Sequence, residues 1–300
     1  MSLFKKVMIV LKDSDHLGEL IQKFQHYLGH DQYDATILFL HAPFKAAFKQ
    51  IEDDFKTAHT DQIRSVFAKS GFEKAPKVVF ESGAPASVKV IDQARDGGYD
   101  LVVKIAEQDN KNERFKLRSF DMSLLRKCPC PVLLIQNTAI TGKGVIAAAI
   151  DPTNEENNIV ALNHKLLKSA SALASNASQD FETISCWSLE YKDYFRHSAF
   201  GKVPEAELNA MLEKEQEQNR KGVDALCKGA GLDAENTLVF KKGKADDEIP
   251  PYTEERPVDL LVMGTVARTG IEGFIMGNTA ENILQNVSCD ILAVKPEGFK

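Results

Sequence analysis

Asp259-Leu-Leu-Val-Met-Gly264, an apolar run of strand length closed by a glycine, is a second version of Asp100-Leu-Val-Val-Lys-Ile105. The two stand 259 − 100 = 159 residues apart, and the same separation recurs downstream. Leu124-Leu125 corresponds to Ile283-Leu284, and Cys130-Pro-Val-Leu-Leu134 to Cys289-Asp-Ile-Leu-Ala293, both again at 159. Upstream, Val79-Phe80 with Gly83 matches Val239-Phe240 with Gly243 at 160. One frame held over this much sequence is the mark of an internal duplication.

Outward from these anchors, each copy alternates short apolar runs with helical periodicity. Strands are predicted at 7–11, 35–40, 77–80, 100–104 and 132–135, and again at 145–150, 183–187, 237–240, 259–263 and 291–294. Between them, Leu17, Leu20, Ile21, Phe24, Tyr27 and Leu28 keep spacings of three and four, as do Ile159, Leu162, Leu166, Ala170 and Leu173. Long helices are expected through Phe48–Phe67, stopped by Gly71, and over 205–228, closed by Gly229 and Gly231. Strand–helix alternation of this kind builds parallel sheets from βαβ units. The fold class is therefore α/β: two tandem Rossmann-like domains, each a five-stranded, mainly parallel sheet with helices on both faces. Their bounds are read as 1–137 and 145–300, joined by a linker at 138–144.

Composition excludes other classes. Of 300 residues, 43% are hydrophobic and 27% charged, an ordinary globular balance. No run approaches the roughly 20 apolar residues of a membrane span, and the first residues carry no signal-peptide pattern. A cytoplasmic protein is expected. The net charge of −6, without a basic run, argues against nucleic acid and anionic membranes as partners. Cys128 and Cys130 enclose one proline rather than the two residues of a zinc or redox pair. With Cys186, Cys227 and Cys289 they read as reduced thiols packed as small hydrophobes, and no metal ligand set is assigned.

The candidate site lies in the second copy. Gly264-Thr-Val-Ala267-Arg268-Thr-Gly270 runs on to Gly277-Asn278-Thr279, between a strand and a helix. Here the chain resembles the universal stress protein family, in particular its tandem-domain type, whose nucleotide-binding members carry Gly-x2-Gly-x9-Gly-Ser/Thr at this place. Gly264 and Gly277 fit the first and third glycines, Ala267 replaces the second, and Asn278 replaces the hydroxyl residue, with Thr279 one step later. Asp151 matches the acidic residue at the end of the first strand. The resemblance implies a nucleotide site made of Asp151, Pro152, Met263, Gly264, Ala267, Arg268, Gly277, Asn278 and Thr279, taking ATP or a related nucleotide with Mg²⁺. It also implies that the last strands, 132–135 and 291–294, meet inside one chain as an internal pseudo-dimer.

Elementary chemistry supports the same residues. Glycines after a strand can take positive φ and let the backbone approach a phosphate. Amides at a helix N-terminus favour an anion. Asp151 can accept ribose hydroxyls or, alternatively, cap the following helix; Arg268 can neutralise phosphate. In the first copy the frame puts Ile105, Gln108, Arg118 and Ser119 at the positions of Gly264, Ala267, Gly277 and Asn278. No nucleotide is expected there. Asp13 is read as the surviving acidic residue, with Lys12 its partner, and Arg114, Lys116 and Arg118 as a solvated basic loop.

Neither a Walker A loop nor a Gly-x-Ser-x-Gly elbow is present, so no dedicated catalysis is assigned beyond weak ATP hydrolysis. Three readings stay open: a ligand-responsive regulator, a structural module acting through its surfaces and protein partners, or a pocket turned to another phosphate-bearing metabolite such as a nucleotide sugar. A monomer with its internal pseudo-dimer and a homodimer are both compatible. The connection from Tyr191 to Val203, with Phe195 and Phe200, reads as a lid, an interaction segment or a packed loop.

Overall fold

The computed structural model describes residues 3–29, 33–83, 85–107, 117–136, 139–140, 142–189, 203–265 and 276–298. The strands are β1 (Lys6–Leu11), β2 (Asp34–His41), β3 (Lys77–Ser82), β4 (Leu101–Ile105), β5 (Val132–Ile135), β6 (Val145–Ala149), β7 (Asp180–Trp187), β8 (Leu238–Lys242), β9 (Val258–Gly264) and β10 (Asp290–Val294). The helices are α1 (Leu17–Leu28), α2 (Lys49–Lys69), α3 (Ala86–Gly97), α4 (Ser119–Lys127), α5 (Asn157–Ala177), α6 (Glu205–Ala230), α7 (Ala245–Glu255) and α8 (Asn278–Asn286).

The strands form one sheet in the order β3-β2-β1-β4-β5-β10-β9-β6-β7-β8. Neighbours run parallel everywhere except at the centre, where β5 and β10 are antiparallel. That pair joins the two five-stranded halves, so the last strands do meet inside the chain. The continuous apolar runs follow from burial on both faces. Val7, Ile9 and Leu11 of β1 enter one core with α1, α2, α5 and α6, while Met8 and Val10 enter the other with α3, α4, α7 and α8.

A buried polar cluster reinforces the junction. Asp290 receives the backbone N–H of Gln136 at 2.7 Å and the hydroxyl of Tyr27 at 2.7 Å, with the Lys23 ammonium 3.5 Å away. Lys23 also donates to the carbonyl of Ala139 at 2.7 Å, which ties the linker to α1. Burial, with Asp290 beside it, pushes the Tyr27 phenol far upward, so the hydroxyl stays a donor.

Two helix details differ from expectation. Gly229 lies inside α6 rather than ending it. A Cβ there would stand 2.5 Å from Nε2 of His164, so the glycine allows α5 and α6 to approach, and Gly231 in the left-handed region closes the helix. Helix α7 gave no signal in the sequence because Pro250 and Pro251 lie within it; it is held by the buried Ile249 and Tyr252.

Candidate functional site

In the second half, β6 has β9 on one side and β7 on the other. The crevice outside the carboxyl ends of β6 and β9 is the topological switch point at which parallel α/β sheets bind ligands. Ala149 pairs with Met263, so Asp151, two residues beyond, emerges level with Thr265, one residue past Gly264. Gly277 caps α8 and its N–H reaches the carbonyl of Thr265 at 3.3 Å, which brings the helix N-terminus back to the end of β9. Asp151, Met263, Gly264 and Gly277 are thus brought together. Met263 is buried, whereas Asn278 and Thr279 are exposed on the first turn of α8. Ala267, Arg268 and Gly270 lie outside the described residues, as do Gln108, Arg114, Lys116 and the segment 191–202.

The glycines work differently from the expectation. Gly277 has φ −72°, and Gly264 is not among the positive-φ residues, so neither needs the left-handed region. Gly264 instead answers to packing: a Cβ would stand 3.0 Å from Cδ2 of Leu162 on α5. Asp151 is not the helix cap either. Glu156 occupies that place, and the Asp151 carboxylate accepts the backbone N–H of Thr153 at 3.0 Å and its hydroxyl at 2.6 Å. This turn leaves the carboxylate at the crevice mouth, half-buried.

Two positioning residues escaped the sequence reading. Asn163, 3% exposed on the apolar face of α5, clamps the backbone of Asp151, accepting from its N–H at 3.3 Å and donating to its carbonyl at 2.9 Å. A polar residue interrupting the stripe around Leu162 and Leu166 was the available signal. Gly222 of α6 faces Pro152 so closely that a Cβ would be 2.8 Å from that ring's Cβ. That contact fixes the loop after β6, and only the tertiary structure reveals it.

The first half fills the equivalent place with its own charges. Val10 pairs with Lys104 as Ala149 pairs with Met263, and 263 − 104 = 159. By that register Lys12, not Asp13, stands where Asp151 does. Lys12 is paired with Glu107 rather than with Asp13. Lys104, 4% exposed, lies 2.9 Å from the fully buried Asp121 and 3.8 Å from Glu107. Asp121 also accepts the N–H of Glu107 at 2.7 Å. Burial pushes Lys104 downward and Asp121 upward, each partly offset by the other. For Glu107, burial opposes the charge, yet the hydrogen bond from Lys12 and the charge of Lys104 hold it below the usual carboxylate range. Both ammonium groups lie over the Phe120 ring, at 4.7 and 4.9 Å. Arg118 sits at the N-cap of α4 without making a side-chain cap.

The relatives agree with this architecture. The family model described as "Universal stress protein family" matches residues 3–136 and 164–295. Universal stress protein E of Photorhabdus laumondii is 28% identical over 258 residues, covering 82% of this chain and 76% of that protein. The Escherichia coli K12 protein of the same name is 28% identical over 235 residues, covering 75% and 72%. Among solved structures, the functionally unknown protein PA1789 of Pseudomonas aeruginosa superposes with TM-score 0.71 at 22% identity, over 98% of this chain and 94% of that one. A universal stress protein from Archaeoglobus fulgidus gives 0.61 at 16% identity, over 96% and 98%. Among the described residues no helix is long and apolar enough to cross a membrane. The matched regions take in most of both halves, and the chain belongs to the universal stress protein family.

Proposed function

We propose that the second half, residues 145–300, binds ATP or a related nucleotide, with Mg²⁺ when bound, and that the protein acts as a ligand-responsive regulator of the stress response in the cytoplasm. The observation that carries this reading is the asymmetry of two equivalent crevices. In one, Asp151 and Gly264 flank a switch point closed by the N-terminus of α8. In the other, Lys12, Lys104, Glu107 and Asp121 satisfy one another. Asp151 would accept ribose hydroxyls, the amides after Gly277 would meet phosphate, and Arg268 would neutralise it. The first half, residues 1–137, would serve as a built-in partner domain. Dedicated catalysis is no part of this proposal. The exposed Asn278 and Thr279 would also suit another phosphate-bearing metabolite, such as a nucleotide sugar.

Calorimetric titration of ligand-stripped protein with Mg·ATP tests the reading. Binding near one per chain, lost in Gly277→Arg, which copies Arg118, is the expected result. Heat that survives the substitution would move the site elsewhere. Absence of heat up to millimolar ATP would leave the crevice to other metabolites or the protein to a purely structural role.

A further inference from the structure

The two halves also differ on the far side of the crevice, beneath the long helices. Val10 and Ala149 are one position of the duplicated fold, and on the next strand outward they pair with Leu38 and Ile184. One residue further on, Phe39 and Ser185 are therefore equivalent. They pair in turn with Phe80 and Phe240, 240 − 80 = 160. Helices α2 and α6 both end at a glycine of positive φ, Gly71 and Gly231, at the same offset of 160, so His59 corresponds to Asn219.

In the first half this place holds rings. Phe39 packs on His59 with centroids 4.6 Å apart, and Phe55 and Phe80 lie 5.8 and 5.5 Å from Phe39. In the second half the same two positions carry a hydroxyl and an amide. Ser185 is 1% exposed and Asn219 5%, yet neither Oγ of Ser185 nor Oδ1 of Asn219 has a hydrogen-bond partner among the described residues. The Asn219 amide nitrogen donates to the backbone carbonyl of Glu215 at 3.1 Å and to its carboxylate at 2.9 Å, which fixes the oxygen as the orphaned end. That oxygen only accepts, and leaving it unpaired when buried is costly. Both groups border the loop of Asp151. Ile150, the residue before it, donates its N–H to the carbonyl of Ile184 at 3.1 Å, which puts Ser185 alongside. Gly222, which abuts Pro152, is one helical turn from Asn219.

We propose that Ser185 and Asn219 read the base of the bound nucleotide, and that the base is a 6-aminopurine. The inference rests on the nucleotide reading above and deepens it. With ribose on Asp151 and phosphate at the N-terminus of α8, beside β9, the base points to the opposite side, toward β7 and α6. A planar ring there takes the part that the Phe39 ring plays in the first half. Asn219 Oδ1 accepts an N–H of the exocyclic amine, and the Ser185 hydroxyl donates to the ring nitrogen beside that amine. Adenine carries this donor and acceptor on one edge, whereas guanine puts the O6 acceptor where the amine would stand. A purine without the amine leaves Asn219 unpaired, and a site built to hydrogen-bond a group discriminates against the analogue that lacks it.

The test is calorimetric titration of the full-length protein with the Mg²⁺ complexes of ATP, GTP and purine riboside triphosphate, which lacks the amine. The unaltered protein should bind ATP at least about 10-fold more tightly than either analogue, a readout that needs no variant to fold. Ser185→Ala and Asn219→Leu should each weaken ATP about 3- to 10-fold, the range of one neutral hydrogen bond. Asn219→Leu should also erase the preference for ATP over purine riboside triphosphate. Thermal unfolding without ligand separates this from a structural role: Ser185→Ala removes an orphaned group, so the variant should melt no lower than the native chain. If the native chain binds no nucleotide, the nucleotide reading falls and this assignment with it. If ATP binds and Gly277→Arg abolishes it, yet the three nucleotides bind equally or both variants keep full affinity, the base assignment alone is overturned.

Discussion

Leu133 and Leu292 are one position of the duplicated fold, 292 − 133 = 159, and they face each other across the antiparallel β5–β10 pair. The pseudo-two-fold axis therefore passes between them. Both are buried, at 2% and 1% exposure, in the same core. The residue that ends one half's sheet begins the other's, so each half covers the strand edge the other would leave open.

Truncating either side chain should destabilise the whole chain. Leu133→Ala and Leu292→Ala are expected to cost about 2–5 kcal/mol each. The double variant should cost less or more than their sum by at least about 0.5 kcal/mol, because the two positions touch. Chemical denaturation of the three variants checks this; strict additivity would mean the halves do not share a core at this point.

Tyr27 carries α1 of the first half into the second. Its hydroxyl donates to Asp290 at 2.7 Å and lies 3.2 Å from the carbonyl of Asp259. Tyr27→Phe should lose about 1.5–3 kcal/mol, the scale of a hydrogen bond to a charged group. An unchanged midpoint in denaturant would show that Lys23 and Gln136 satisfy Asp290 without it.

The Lys104–Asp121 pair fills the first-half crevice. Asp121→Leu alone strands a buried ammonium and should cost about 3–5 kcal/mol, whereas adding Lys104→Met should recover most of that loss. Thermal unfolding of the single and double variants reads the difference. A double variant as unstable as the single one would mean that the pair also organises the loop through the N–H of Glu107.

Glu107 gives a pH signature. Its carboxyl is held below the ordinary value of 4.5, so the folded state binds its proton more weakly than the unfolded state does. The contribution is fully present above pH 4.5 and is lost as pH falls through the depressed value. The stability gap between the native chain and Glu107→Gln should therefore be flat from neutrality down to about pH 5 and close below it. Urea titrations across that range check the sign; a gap widening in acid would contradict it.

Gly222→Ala probes the loop of the second-half crevice. Its Cβ would lie 2.8 Å from Cβ of Pro152 and 3.4 Å from the Pro152 carbonyl. Overpacking of this kind costs about 1–3 kcal/mol. Displacement of Pro152 should carry Asp151 with it, so nucleotide affinity should fall together with stability. Lost stability with undiminished affinity would detach Asp151 from the ligand.

Much of the fold was legible along the chain. Strand-length apolar runs such as Val132–Ile135 and the helical stripe of α1 are periodic signals that burial on a sheet or helix face imposes on sequence. Helix α7 was not, since Pro250 and Pro251 contradict local propensity and tertiary packing overrides it. In the candidate site, the glycine motif that resembles the family's identified Gly264 and Gly277, but neither takes the positive φ expected of it. Backbone freedom was the expected reason; the finding is a close approach of Leu162 to Gly264, which no local pattern encodes. By residue type Asp13 is the counterpart of Asp151, but strand register assigns that place to Lys12.

The sequence by itself determined the duplication and the α/β class, which are written in repeats and periodicities that survive as linear patterns; the family, and with it the expected meeting of β5 and β10, followed from the resemblance that the glycine motif carries. Only the tertiary structure decided which charges face each other. Lys12 meets Glu107, Lys104 meets Asp121, Tyr27 meets Asp290, and Lys295 reaches Cys128. The partners in the last two contacts are separated by 263 and 167 residues. Electrostatic and hydrogen-bond pairing depends on distances of a few ångströms in space, and spacing along the chain carries no record of them.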